Sequence, residues 1–472
     1  MLSIAMRWLH TSPIEPQAKG TQNHKQLCLF PVHFSIRRMR NAENGRAMPP
    51  SSPTPQPAER MPYMGLSPFL RLNIAGGDLN ALGVTLLAAL AQDPYNANLL
   101  MNMSLLSQSL GQQDIGLEFQ REALKFSTTY RLPATQQPTR LRLLLLVTSG
   151  NLQVNTPLEC LLEDSDIELL FYYVSDGQTS LAQVPEHDAL FVAICESDHH
   201  RALLQALEQE LRNWPTPVIN PPQCIPRTGR QAASALLQNV PRLLVPATVR
   251  VARTDLQAIA NGRTHMRSLL AGHDFPVIIR PISSQAGKDL CKVSGPGDIV
   301  DYLGAVDALE QAFYVAPFVD YSDAHGQFKK IRMALVDGQA FVCHMAVSSN
   351  WMVHYLNAGM YEQADKRQQE AAFMDHFGEF TARHRHAIGE IARRMQLGYL
   401  VLDCAETRAG ELLLFEIDHG GVVHNMDLPS LFPYKARHIH SVQSAFRDYL
   451  VHLVSNTPFV HAAHRMPSGV SP

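Results

Sequence analysis

Apolar and polar residues follow three successive patterns along the chain. From residue 67 to about 135 they recur at helical spacing, with Leu99, Met103, Leu106 and Leu110 on one face. From Thr139 onward short apolar runs take over, first TRLRLLLLVTSG and then DIELLFYYV and DALFVAI. Such runs, alternating with helical patterns, predict buried parallel strands in a doubly wound sheet. The predicted fold class is therefore α/β, preceded by a short helical segment.

These patterns divide the chain into a helical segment (67–135), an α/β domain (139–245) and a further domain (246–456). The flanks, 1–66 and 457–472, are predicted to be a disordered leader and a flexible tail, because stretches such as MPPSSPTPQPAERMP cannot offset the entropy of ordering. The leader can be interpreted as a transit peptide, a bacterial leader or the result of a start placed too early, with Met61 or Met64 as the true start.

The helical segment contains a loose internal repeat. ALAQDP at Ala89 recurs as ALKFST at Ala123, an offset of 34 residues, which is the tetratricopeptide period. The segment resembles one and a half such repeats and would then offer a docking surface for a protein or peptide partner. A plain helical hairpin packed on the rest of the protein remains an equal alternative, because a stable solenoid needs about three repeats.

Composition narrows the function classes. The 472 residues are 46% apolar and 18% charged, with a formal net charge of −3, which gives no global attraction to nucleic acid or anionic lipid. No stretch approaches the roughly 18 apolar residues of a transmembrane helix. The seven cysteines lack metal-ligand spacing. We therefore expect a cytoplasmic protein with reduced thiols and with neither nucleic-acid nor membrane partners.

The stretch GYLVLDCAETRAGELLLFEIDHGG predicts a β-hairpin that carries three carboxylates. If its turn centres on Ala409 and Gly410, Asp403 lies opposite Glu416, and Asp418 shares their face. Opposed carboxylates among apolar residues require a compensating cation, and oxygen ligands favour Mg²⁺ over Zn²⁺. A surface hairpin whose acids face water is the alternative.

Two upstream segments carry cations. FPVIIRPISSQAGKDL predicts a buried strand that ends at Arg280, followed by a loop of small residues through which backbone amides can approach phosphate. Farther on, KKIRMALVDGQAFVCHMAVS predicts a strand with Lys330 and Arg332 on one face, where they would neutralise phosphate or simply face solvent.

A cation-ending strand, a small-residue loop, a hinge strand, a K-x-R strand and a D…E-x-D hairpin, in this order, resemble the ATP-grasp superfamily over residues 139–456. Glutathione synthetase and ribosomal-protein glutamate ligases are similar families. The resemblance implies a doubly wound domain that precedes an ATP-grasp domain of α+β type, with ATP and Mg²⁺ (or Mn²⁺) as cofactors.

The resemblance also implies roles for individual residues. The expected contacts to ATP phosphates are Arg230, Arg280, Ser283, Ser284, Gly287 and Lys288. The hinge strand, Ala316–Val319 with Phe318, would read adenine through its backbone, although Pro317 lacks a donor, and Asp320 would hold the ribose. The expected catalytic cations are Arg332 and Lys330, and the expected metal ligands are Asp403, Glu416 and Asp418. The family commonly has Asn at the last of these positions, and lysines where this chain has Arg230 and Arg280.

Loops beyond these strands supply the candidate substrate residues. They are Trp351, His354 and Asn357 after the K-x-R strand, and His424 and Asn425, preceded by His419, after the hairpin. Packing or solvent exposure is the competing interpretation for each of them.

The expected activity is ATP-dependent ligation of a carboxylate to an amine through an acyl phosphate, with small-molecule or peptide substrates and a homo-oligomeric protein. Two alternatives remain. One is phosphoryl transfer without ligation. The other, motivated by the arginines that replace lysines, is a non-catalytic nucleotide-binding scaffold with a docking segment.

Overall fold

The helical pattern of the first region folds into four helices. They are α1 (Ser67–Ile74), α2 (Leu79–Gln92), α3 (Ala97–Ser109) and α4 (Gln113–Leu124). The side chains of Asp78 and Asn96 cap α2 and α3 by accepting backbone N–H groups of the first turn. The computed structural model describes residues 61–177, 179–284 and 287–456. The predicted leader up to residue 60 and the tail 457–472 lie outside these residues.

The end of the predicted leader is part of the fold. Tyr63 and Leu66 are 4% and 5% exposed, and the backbone N–H of Leu66 donates to the Glu159 carboxylate. Tyr63 and Leu66, which were assigned to the leader, therefore pack with the rest of the described residues.

The first sheet is doubly wound, as predicted. Its strands are β1 (Thr129–Leu132), β2 (Leu141–Thr148), β3 (Ile167–Val174), β4 (Ala189–Val192) and β5 (Val218–Ile219), in the order β1-β3-β2-β4-β5. Helices α5 (Leu158–Leu161) and α6 (Arg201–Glu210) lie between strands in sequence. β2 is parallel to both neighbours, whereas β1 is antiparallel to β3. Thr129–Leu132 was predicted as helical, but its Thr and Tyr suit the pleated sheet edge on which it pairs.

The second sheet has its own small core. It contains β7 (Val249–Ala252), β8 (Val277–Pro281), β9 (Cys291–Val293) and β10 (Ala312–Pro317), in the order β7-β10-β8-β9. Helices α8 (Arg253–Ala260), α9 (Met266–Leu269) and α10 (Pro296–Ala305) belong to the same region. Leu256, Ile279, Ile299 and Phe313 are fully buried in this core.

The third sheet carries most of the predicted chemistry. Its strands are β6 (Leu243–Leu244), β11 (Phe328–Val336), β12 (Gln339–Ser348), β13 (Tyr399–Glu406) and β14 (Leu412–Asp418), in the order β12-β11-β13-β14-β6. Its region also contains α7 (Arg230–Leu236), α11 (Ala364–Asp375), α12 (Phe377–Met395) and α13 (Lys435–Asn456). β6 lies before the predicted boundary at residue 245, in the segment assigned to the α/β domain. It nevertheless pairs with β14 of the third sheet.

The predicted order of a helical segment, an α/β domain and a second mixed region is confirmed. The fold class is mixed α/β with three sheets. Within the described ranges, no helix is long and apolar enough to cross a membrane.

Candidate active site

The hairpin β13–β14 brings its acids together with the predicted pair opposed. Asp403 pairs with Glu416 across the two strands, and Asp418 lies two residues beyond Glu416 on the same strand. The register shifts after Asp403, so Phe415 is an extra residue in β14. The Phe415 ring packs edge-on against Tyr321, with 4.9 Å between centroids. The acids therefore stand at a local bend of the hairpin.

The two cations of β11 both bind Asp403. Arg332 lies directly opposite Asp403 and donates from Nε and Nη2 to its two oxygens, at 2.8 and 3.1 Å. Lys330 reaches the same carboxylate at 2.7 Å. The Asp403 side chain is only 5% exposed. Burial opposes ionisation, but the two cations outweigh it and hold the pKa of Asp403 well below its usual range.

Glu416 is paired with a cation from a different element. Arg230, the first residue of α7, donates to its carboxylate and also reaches the Phe415 carbonyl at 3.4 Å. Burial opposes ionisation of Glu416, yet Arg230 and Arg280 keep its pKa below the usual value. Arg230 thus links the start of α7 to the hairpin.

Arg280 on β8 is the least compensated cation of the site. It is 8% exposed, its Nη2 donates to the carbonyl of Ser284, and its buried Nε has no hydrogen-bond partner among the described residues. Burial and the neighbouring Arg230 lower the pKa of Arg280 to about 10. A buried guanidinium with an unused donor next to a second guanidinium has the chemistry that suits an anion.

The donor chemistry of Glu416 and Asp418 fits a divalent cation. Asp418 forms no ion pair with any described residue, and its Oδ1 accepts one hydrogen bond, from the Gly420 backbone at 2.8 Å. Burial and repulsion from Glu416 raise the pKa of Asp418 to about 6. A hard cation would relieve this repulsion.

Asp403, the first of the three predicted metal ligands, is paired with protein cations. Its oxygens are engaged by Lys330 and Arg332, and in the described part of the chain no group of three His, Cys, Asp or Glu side chains is arranged to hold a metal ion. Protein cations already offset the charges of Asp403 and Glu416, and the metal centre of Asp403, Glu416 and Asp418 stays a prediction.

The loop predicted to contact the ATP phosphates is held by hydrogen bonds to residues of the second sheet's region. Ser283 Oγ donates to Glu310, and Ser284 Oγ donates to the carbonyl of Lys288. Lys288 as a residue is exposed. Gly287 has a φ of +76°, a conformation that favours glycine. The residues between Ser284 and Gly287 lie outside the described ranges.

The predicted hinge contains fewer free donors than expected. Ala316 and Pro317 belong to β10 and pair with β8, and the Phe318 N–H donates to the carbonyl of Pro276 at 3.0 Å. The Phe318 N–H is therefore engaged within the fold, and recognition of adenine by this segment stays a prediction. Val319 packs against the core that the first and third sheets share. Asp320 accepts the Ser322 N–H in a local turn at 3.0 Å.

The candidate substrate residues separate into different places. Trp351 packs edge-on against Phe318 at 5.7 Å between ring centroids, which places it beside the hinge. His354 lies near Lys330 and Arg332, and burial together with these cations lowers its pKa. Its backbone N–H donates to Asn357 Oδ1 at 2.9 Å, so Asn357 serves the local 3₁₀ turn.

The predicted substrate residues in the loop after the hairpin make local contacts. His424 Nδ1 accepts the Met426 N–H at 3.2 Å, and Asn425 lies 3.3 Å from His440 Nε2. His419 is fully buried and bonded to the Ile194 carbonyl at 3.1 Å, so it is a packing residue.

Two residues near the site were missed by the sequence analysis. Glu196 follows β4, and its carboxylate lies 3.1–3.3 Å from where a side-chain carbon on Gly229 would stand, immediately before Arg230. Its position just past the end of a parallel strand was a usable signal. Lys292 on β9 places its Nζ 3.7 Å from the centroid of Phe318, and no motif in the sequence marked it.

Comparison with known proteins gives architectural similarity only. No protein-family model matches the chain, and no curated protein matches it in sequence. Among solved structures, D-alanine–D-alanine ligase from Bacillus anthracis complexed with ATP is 9% identical, with a TM-score of 0.43 over 67% of this chain and 98% of that one. VanG D-Ala:D-Ser ligase from Enterococcus faecalis is 13% identical, with a TM-score of 0.42 over 66% and 99%.

A third structure, the RimK domain protein ATP-grasp from Sphaerobacter thermophilus, is 14% identical, with a TM-score of 0.36 over 66% of this chain and 99% of that one. Because all these TM-scores are below 0.5, we base the functional proposal on the chain's own side chains.

Proposed function

We propose that the protein is an ATP-dependent carboxylate–amine ligase. The observation that carries the proposal is a set of four cations among carboxylates. Arg230 pairs with Glu416, Lys330 and Arg332 pair with Asp403, and Arg280 is close enough to Arg230 and Glu416 for their charges to affect its pKa. Arg280 supports it most directly, because its buried, unpartnered donor suits a phosphate oxygen.

In this reaction a substrate carboxylate attacks the γ-phosphorus of ATP, the bond to the bridging oxygen breaks, and ADP leaves. The resulting acyl phosphate is attacked by an amine, phosphate departs, the amine loses a proton, and an amide remains. The chain supplies positioning and charge, and no protein nucleophile is needed.

The cations divide between binding and transfer. Arg230 and Arg280 would bind the ATP phosphates, while Lys330 and Arg332 would neutralise the phosphoryl group in transit. Asp403 orients Lys330 and Arg332 through its three contacts. Glu416 and Asp418 would hold Mg²⁺, which would supply positive charge to offset the charge of the phosphates.

The flanking residues suggest where the rest of the nucleotide and the substrates lie. We assign the base to the apolar surface near Phe318, Val319 and Trp351, and the ribose to Asp320. His354 is assigned to the acceptor side because it lies near Lys330 and Arg332. The substrates would be small molecules or peptides that carry a carboxylate and an amine.

The first experiment compares the parent protein with Glu416→Gln. ADP release is measured with ATP and Mg²⁺ against pools of amino acids and short peptides, and products are identified by mass spectrometry. We expect substrate-dependent ADP release with a product formed by loss of water, and at least a 100-fold lower rate in Glu416→Gln, because a ligand for Mg²⁺ is lost.

Glu411→Gln is the matched control, since this residue lies in the turn of the same hairpin. It should retain parent activity and stability. Undiminished turnover in a folded Glu416→Gln variant would contradict the metal assignment.

One observation favours a second candidate, a non-catalytic nucleotide-binding protein. Asp403 is fully engaged by Lys330 and Arg332, and the described residues include no ready three-ligand metal cluster. Under this alternative ATP binds to the cations without turnover. Nucleotide binding by calorimetry without ADP release in any substrate pool would support it over the ligase.

A further inference from the structure

A cavity lies away from the ATP site, between the N-terminal helices and the first sheet. It occupies about 50 Å³, and the cleft around it measures about 460 Å³ including its opening to solvent. Its walls come from α3, α4, β2, β3 and the loop that follows β2. This loop leaves the carboxyl end of β2, the strand at which the sheet order reverses. In open α/β sheets, ligands bind outside the carboxyl ends of strands near this reversal.

The cavity has a single charged group, and it is negative. Glu159 is 5% exposed, whereas no Lys, Arg or His side chain lines the cavity. One carboxylate oxygen of Glu159 accepts the Leu66 N–H at 3.3 Å, and the structure gives it no cation partner among the described residues. Burial raises the pKa of Glu159 to about 7, which marks the carboxylate as poorly compensated.

A second group in the wall also offers an acceptor. Gln108 donates from Nε2 to Ser104 Oγ at 3.1 Å, while its buried Oε1 accepts no hydrogen bond from any described residue. The backbone N–H of Gly150, the donor that an anion would need in this loop, already donates to Gln120 Oε1 at 2.8 Å. The Glu159 carboxylate and Gln108 Oε1 are therefore available as acceptors, and they suit a ligand with N–H donors.

Aromatic rings complete the wall. Tyr63 packs against Phe171 with 5.4 Å between ring centroids, and Tyr173 lies beside them on β3. Burial raises the pKa of Tyr173 far above neutrality, so its ring is uncharged when Glu159 is ionised. Aromatic faces beside a carboxylate attract organic cations through the ring quadrupole.

We propose that this cavity binds the primary ammonium group of a small amine, with Glu159 as its counter-ion, Gln108 Oε1 as an acceptor and the rings of Tyr63, Phe171 and Tyr173 around it. A volume of about 50 Å³ holds roughly three to five water-sized groups, which suits an ammonium with a short alkyl chain. The proposal does not rest on the proposed ATP site, because none of the residues that line the cavity is assigned to that site.

The test uses the full-length protein and ethylammonium chloride as the probe. Binding is measured by saturation-transfer NMR on the ethyl protons and by thermal unfolding, with ethanol as a neutral ligand of equal size and potassium chloride as an inorganic cation. We expect ethylammonium to bind and to raise the melting temperature, while ethanol and potassium do neither.

Two variants test the named contacts. Glu159→Gln keeps an oxygen that can accept the Leu66 N–H but removes the charge, and should weaken ethylammonium binding by at least about tenfold. Gln108→Met keeps the side-chain length without the acceptor and should weaken it by a smaller factor. Glu122→Gln is the control, because Glu122 pairs with Lys125 outside the cavity, and it should bind like the parent.

Equal binding of ethylammonium by the parent and by Glu159→Gln would overturn the proposal. So would equal effects of ethylammonium and ethanol, which would indicate a cavity that holds only water or neutral solutes. If Glu159→Gln were poorly folded, Gln108→Met would decide, since loss of its acceptor leaves the buried carboxylate unchanged.

Discussion

Asp403 carries the charge on which the arrangement of the site depends. It is the shared acceptor of Lys330 and Arg332, whose side chains are 23% and 27% exposed. Removing one partner from a buried ion pair is costly, because the remaining charges lose their compensation. We expect Asp403→Asn to lower the free energy of unfolding by about 3 kcal/mol, measured by urea denaturation.

Nucleotide should reverse part of this loss. If Lys330 and Arg332 bind phosphate, saturating ATP would replace the missing negative charge and narrow the difference between Asp403→Asn and the parent. Asp337→Asn is the control, because Asp337 lies at the β11–β12 turn with a φ of +48° that Asn tolerates. A stability loss in Asp403→Asn that ATP leaves unchanged would argue against phosphate binding by these two cations.

At the residue scale, contacts set by local rules can be predicted from the sequence, whereas contacts between distant segments cannot. The pairing of Asp403 with Glu416 was predicted from the turn position and the two-residue period of strands, which are local rules. In the structure this pairing also depends on the extra residue Phe415, which those rules did not predict. The cations that neutralise these acids come from β11 and α7, far away in sequence. Glu196 illustrates the same limit in part, because its place after a strand end was a usable signal but its proximity to Gly229 depends on tertiary packing.

At the scale of elements, a buried polar network holds the segment that carries His354. Tyr355 donates to Glu370 Oε2 on α11 at 2.8 Å and accepts from Lys435 Nζ on α13 at 2.6 Å. Lys435 also binds Asp427 at 2.9 Å, which ties the loop after the hairpin to the same point. The two loops predicted to contact substrate are thus anchored to α11 and α13 through one buried lysine.

Tyr355→Phe tests this anchor without changing the ring. We expect the free energy of unfolding to fall by about 2 kcal/mol, because two hydrogen bonds to charged groups are lost. We also expect a higher KM for the acceptor with little change in ATP affinity, since Arg230 and Arg280 lie on other elements. Tyr95→Phe, at a ring 70% exposed, is the control. An unchanged acceptor KM in Tyr355→Phe would leave the network as packing only.

At the scale of the whole molecule, pairing between distant segments decides what pattern alone could not. The doubly wound order and the mixed α/β class follow from apolar runs that alternate with helical patterns. Two short strands were not predicted from this pattern. They are β1, at the edge of the first sheet, and β6, which pairs with β14 in the third. Four-residue and two-residue strands have too little pattern to be recognised, and only their tertiary partners determine them.

The N-terminal helices pack against the first sheet. Met101 on α3 is fully buried, and the Tyr173 hydroxyl of β3 lies 3.7 Å from its sulfur. Residues from Tyr63 onward belong to one compact unit, which favours the packed-hairpin interpretation of the helices over a separate docking module. The helices and the sheet should therefore unfold together.

Met101→Ala tests this coupling. Loss of a fully buried methionine should cost about 3 kcal/mol, which corresponds to a rise of about 100-fold in the exchange of the slowest β2 and β3 amides. Val84→Ala, at a side chain 56% exposed on α2, should leave exchange unchanged. Faster exchange in the helices alone would instead mean that they open as an independent unit, because the sheet would then keep its own protection.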